Sequence, residues 1–92
     1  MKLSFLDRFR RQCRLIPTRD QAAVLKLVLD LETSLTNPQA HTGLGLRKLH
    51  PAGFWEVRAG LSLRAIFRLE KDEAIFVFLG THDEVKRFLS SL

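Results

Sequence analysis

Two short runs between Phe54 and Arg68 alternate apolar and charged residues, and that alternation limits what this chain can fold into. They read Phe54-Trp55-Glu56-Val57-Arg58 and Leu63-Arg64-Ala65-Ile66-Phe67-Arg68. A period of two sends successive side chains to opposite faces of a sheet. Glu56, Arg58, Arg64 and Arg68 therefore share one face, and Trp55, Val57, Ala65 and Phe67 the other. Gly60-Leu61-Ser62 between them suits a three-residue hairpin loop. That loop places Arg58 opposite Arg64, Val57 opposite Ala65 and Trp55 opposite Phe67, so apolar faces apolar. Two arginines directly across a strand pair repel each other. A fold tolerates them where an anion sits between them, or where Glu56 on the same face relieves the repulsion.

The flanking segments extend this sheet. Strands are expected at about 46–50, 54–59, 63–69 and 74–80. A turn at Glu70-Lys71-Asp72-Glu73 joins the last two. Ala74–Leu79 is apolar on both faces, which marks a central or doubly covered strand. Residues 37–45 read as a polar connection with two glycines, and His41 within it as a plain loop histidine.

Helices account for the rest. Phe5, Leu6, Phe9, Cys13 and Ile16 recur at helical spacing, with Ser4 and Asp7 at capping-box spacing, and Pro17 ends the segment. Met1 to Leu3 leave room in front for no more than a stub of strand. Thr18 and Gln21 open a second helix whose apolar stripe is Ala23, Val24, Leu27, Val28, Leu31 and Leu35; Asn37-Pro38 closes it. The two should form an antiparallel hairpin. Thr81 and Glu84 start a third helix, with Val85, Phe88, Leu89 and Leu92 on its apolar face. The expected class is α+β in one domain, residues 1–92: an N-terminal helix hairpin on one face of a small, twisted, mostly antiparallel sheet, with a short C-terminal helix.

Composition narrows the function classes. At 46% hydrophobic and 27% charged residues, the 92-residue chain is an ordinary globular domain and not a disordered one. No apolar run reaches the roughly 18 residues of a membrane span, and the N-terminus lacks the apolar stretch of a signal peptide. A single cysteine, Cys13, reads as a packing residue in a reducing compartment, so the expected location is cytoplasmic. The net charge of +5 is uneven: residues 1–14 and 43–68 each carry +4, and the other two blocks are mildly acidic. A polyanion such as RNA, or an acidic protein, is the natural partner.

The chemistry-bearing residues gather around the strands. His41, His50 and His82 lack metal-ligand spacing, and no Gly-rich phosphate loop is present, so neither a metal nor another cofactor is expected. Arg58, Arg64 and Arg68 remain, with Lys48, His50, Glu56 and His82 nearby. That set suits metal-independent RNA cleavage, in which the 2′-OH attacks the adjacent phosphorus. The protein takes one proton, gives one, and stabilises the charge on phosphorus. An arginine fork binds two phosphate oxygens at once, and histidine exchanges protons near neutral pH. Phe54 or Trp55 offers a stacking surface for an unpaired base, although Trp55 on the apolar face fits core packing better.

The helix pair, Leu49, Phe54 to Arg58, Leu63 to Arg68, the strand ending in Gly80, and Glu84-Val85 together resemble the RelE/ParE superfamily of bacterial toxins. The resemblance spans roughly residues 5–89, and its most specific part is the arginine that opens the run Arg64 to Phe67. It implies that Arg64 is the phosphate-binding catalytic residue and His82 the proton-transfer group; on the residues' own chemistry, Lys48, His50, Arg58 and Arg68 nearby are expected to hold the RNA. Where some family ribonucleases carry a tyrosine near the C-terminus, this chain has Lys86 or Arg87. The implied activity is mRNA cleavage on the ribosome by the toxin of a toxin–antitoxin pair, with an acidic antitoxin as partner and no membrane. ParE-like relatives share the fold but inhibit DNA gyrase, so a protein-binding inhibitor is the alternative, and a catalytically inactive interaction module a further one.

Overall fold

The computed structural model describes residues 2–36, 46–49 and 53–92. Five strands, β1 (Lys2–Phe5), β2 (Arg47–Leu49), β3 (Phe54–Ala59), β4 (Leu63–Glu70) and β5 (Glu73–Thr81), form one sheet in the order β1-β5-β4-β3-β2. Three helices, α1 (Asp7–Leu15), α2 (Thr18–Thr36) and α3 (His82–Ser90), cover its two faces.

The hairpin register follows the alternation. Trp55 lies opposite Phe67, Val57 opposite Ala65 and Arg58 opposite Arg64. Gly60 opens the connecting loop at φ 69°, a conformation that costs glycine little. One face of β3 and β4 then offers Val57, Ala59, Leu63, Ala65 and Phe67 to Phe9 of α1 and Val24, Leu27 and Leu31 of α2. α1 packs against β5 and α2 against β3, so both helices lie on this face. Cys13 packs here too, and partial burial raises its thiol pKa above the ordinary value.

On the other face Ile66 and Leu49 meet Val85 of α3, with Phe78 stacked on Phe88 at 4.5 Å between ring centroids. β5 is thus flanked by β1 and β4 and covered on both sides, which explains its continuous apolar run. Its parity also changes midway. Phe67 pairs with Phe76 and Ile66 with Phe78, so Val77 is an extra, bulged residue. The bulge turns Phe76 and Leu79 to the α1/α2 side and leaves Val77 and Phe78 on the α3 side.

The N-terminal segment differs from the sequence expectation. Ser4 does not cap α1; it lies in β1, which pairs parallel with β5, and its hydroxyl donates to the Glu73 carboxylate. The helix begins at Asp7, with Leu6 at the cap position and no side-chain cap bond. Phe5 stacks on Phe76 at 5.1 Å and packs near Phe9 at 5.8 Å. That aromatic burial, together with the ladder bonds, outweighs one capping bond. Thr18 and Gln21 form no box either. The Pro17 carbonyl accepts from the Asp20 and Gln21 N–H groups, and the Gln21 amide donates to the Ile16 carbonyl at 3.1 Å.

The third box is present in full. The Glu84 N–H donates to the Thr81 hydroxyl at 3.3 Å, and the Thr81 N–H donates to the Glu84 carboxylate at 2.8 Å. The N–H and hydroxyl of Thr81 hold the Glu84 carboxyl below its ordinary range. A depressed carboxyl stabilises the fold above that range, and the contribution fades as pH falls through the lowered value. Thr81→Ala should cost about 1 kcal/mol, and Glu84→Gln should flatten the acid side of the stability profile, both measured by urea unfolding across pH. An unchanged profile would mean that the box does not hold in solution.

Candidate functional site

Glu56, Arg58 and Arg64 project to the α3 side of the sheet because they alternate with the core residues Val57, Ala59, Leu63 and Ala65. α3 leaves them uncovered. It starts at His82, directly after β5, and reaches the sheet centre at Val85 over Ile66. The uncovered end is a cleft of about 400 Å³ lined by Leu46, Arg47, Glu56, Arg58, Arg64 and His82.

Glu56 organises this cleft. It is 7% exposed, a rare position for a carboxylate without a partner. One oxygen lies 3.1 Å from Nε of Arg64 and the other 4.0 Å from Nε of Arg47. The contact through Nε fixes the Arg64 guanidinium and leaves its two terminal nitrogens directed elsewhere; Nη1 makes only a long 3.5 Å contact, with the Leu63 carbonyl. Arg58, across the strand pair, is exposed and forms no ion pair among the described residues. Glu56 therefore relieves the repulsion from the Arg64 side, while Arg58 keeps its charge for the cleft.

Gly80 brings α3 close enough. It pairs with Arg64, and a Cβ there would lie 2.9 Å from the Phe78 ring and 3.0 Å from Glu84 Cβ. A side chain at this position would push the helix start, and His82 with it, away from the arginines.

Of the residues expected at the site, Arg58, Arg64 and His82 come together. Lys48 does not. It pairs with Trp55, whose side chain packs on the α1/α2 side, so Lys48 belongs to the opposite face. The register of β2 puts Arg47 beside Glu56 in the cleft instead. Arg68 is also separate. Four residues along β4 is about 13 Å, and Arg68 pairs with Glu70 at 2.8 Å beyond the far end of α3. His50 lies outside the described residues, as does His41. Phe54 and Trp55 are both committed to packing, on opposite faces. Among the described residues no helix is long and apolar enough to cross a membrane.

No protein-family model matches the chain, and no curated protein matches it in sequence. Solved structures do match its fold. A YoeB/ParE toxin from Agrobacterium tumefaciens aligns at a TM-score of 0.68 and 18% identity, covering 89% of this chain and 99% of the toxin. A chain of the RelB–RelE antitoxin–toxin complex from Methanococcus jannaschii aligns at 0.69 and 14%, covering 92% and 96%. YafQ from E. coli aligns at 0.64 and 15%, covering 91% and 96%. Identities this low speak to architecture, and the architecture agrees across nearly the whole of each partner. The chain has the fold of the RelE/ParE toxins.

Proposed function

We propose that this chain is the toxin of a type II toxin–antitoxin pair and cleaves mRNA, on the ribosome, without a metal ion. The observation that carries the reading is the cleft in which Glu56 holds Arg64 while Arg47, Arg58 and His82 line the walls. Three guanidinium groups around one cavity fit a phosphodiester, whose two non-bridging oxygens match the arginine fork. In the reaction the RNA 2′ oxygen forms a bond to phosphorus and loses its proton. The bond from phosphorus to the 5′ oxygen breaks, and that oxygen gains a proton. A 2′,3′-cyclic phosphate and a 5′-hydroxyl end result.

Arg64 stabilises the charge that builds on the phosphoryl oxygens, and Glu56 positions it. His82 exchanges a proton with one of the two sugar oxygens. Arg47 and Arg58 hold the flanking backbone. The reaction belongs to the bacterial cytoplasm, where mRNA is translated. The RelB–RelE complex pairs a toxin with an antitoxin; for this basic chain the corresponding partner is an acidic antitoxin, attracted by the +5 net charge.

Mapping mRNA ends in cells induced to express the chain tests this. Wild type should yield new 5′-hydroxyl ends, and His82→Gln should lose most of them while still binding RNA. Growth arrest with intact mRNA and gyrase-linked DNA breaks would replace this reading with the gyrase one.

A further inference from the structure

The arginine cleft has a neighbour across the sheet edge. β2 begins at Arg47, opposite Glu56, so among the described residues no strand flanks β3 at Arg58. Arg58 there lines the arginine cleft and also a second cavity, of about 360 Å³, between α2 and the β3–β4 loop. Cavities of this size suit small ligands. The loop rests directly on the helix: a Cβ on Gly60 would lie 3.5 Å from Ala23 Cβ. Ala23 and Leu27 give the cavity an apolar lining, and Leu61, wholly exposed on the loop, adds another apolar surface. Lys26 and Asp30, one helical turn apart and 3.2 Å from each other, supply a donor and an acceptor.

We propose that this cavity reads a guanine base of the RNA, next to the scissile phosphate; its place in the substrate rests on the ribonuclease reading above. Single-stranded RNA is recognised by lodging an unstacked base on protein side chains and bonding its Watson–Crick edge. An ionised carboxylate only accepts. Guanine is the base whose edge offers it two adjacent donors, N1–H and the N2 amino group. Adenine and cytosine offer one amino group beside an acceptor, and uracil one N–H between two carbonyls. Guanine O6, next to N1, accepts from the Lys26 ammonium. Asp30 and Lys26 together therefore match all three groups of the guanine edge. A Lys–Asp pair one turn apart is common on exposed helices; this one borders a cavity that shares Arg58 with the cleft. Arg58 then holds the phosphate that joins the guanine to the nucleotide in the cleft.

Titrating the folded chain with GMP, AMP, CMP and UMP, followed by amide chemical shifts, tests the base. GMP should bind about tenfold more tightly than the others, the discrimination of one bidentate pair, and shift the amides of Ala23, Gly60 and Leu61. Asp30→Asn replaces two acceptors by one acceptor and one donor, so the preference should pass to AMP and CMP. The Asp30 side chain is 45% exposed, so this isosteric variant should fold. A residue that only supported α2 would not exchange one base for another. Leu61→Glu, at a wholly exposed position, should weaken all four nucleotides. In cells, the mapped mRNA ends should carry guanine at one fixed position beside the cut, and Asp30→Asn should move that position to adenine or cytosine. Equal binding of the four nucleotides, an Asp30→Asn variant that still prefers GMP, or cut sites whose flanking base ignores Asp30 would overturn the proposal and leave the ribonuclease reading intact. GMP preference in a chain that never cuts RNA would sink the ribonuclease reading and leave a guanine-nucleotide site standing.

Discussion

Arg64→Lys is expected to leave the chain folded and able to bind RNA while lowering the cleavage rate by about 10²- to 10³-fold, the loss seen when one preorganised oxyanion donor is removed. The lysine ammonium keeps the charge and can still meet Glu56. It cannot face Glu56 through one nitrogen while presenting two more to a phosphate, as Arg64 does through Nε at 3.1 Å. Arg64→Ala goes further. It strips the close partner from a carboxylate that is 7% exposed, so stability should fall along with activity. Single-turnover cleavage beside RNA affinity and urea melts separates these effects. Near-wild-type cleavage by the lysine variant would reduce Arg64 to a charge that positions the backbone, and added salt should then weaken both proteins alike.

Phe67→Ala should cost about 3 to 5 kcal/mol, a large part of the roughly 5 to 15 kcal/mol that holds a small domain together. Phe67 is fully buried, with Trp55 stacked at 6.4 Å and Phe76 at 5.4 Å. It joins the β3–β4 hairpin to the aromatic cluster of Phe5, Phe9 and Phe76, and so ties β1 and α1 to the sheet. Equilibrium unfolding in urea measures the loss. A cost under about 1 kcal/mol would mean that the cavity collapses freely, against the usual behaviour of close-packed interiors.

What could be read from the residues was local. Period-two alternation set the hairpin register and both of its faces, because a slip of one residue would turn every core side chain into water. The doubly apolar run at Ala74–Leu79 announced a covered strand, and Thr81 with Glu84 announced the last helix, since each signal depends on neighbours a few residues apart. Non-local pairing decided the remainder. Ser4 has cap spacing, yet β1 takes it because Phe5 finds Phe76, some seventy residues later. Lys48 and Arg47 are equivalent cations until β2 pairs with β3 and alternation sends one to each face. Val77 carries no mark of a bulge, but packing on both sides of β5 requires one there. Arg68 shares a face with Arg64 in the alternation but lies four residues further along β4, and the path of α3 across Ile66 closes the space between them. A strand pattern gives the side to which a residue points, while the helix laid over that side determines which residues meet.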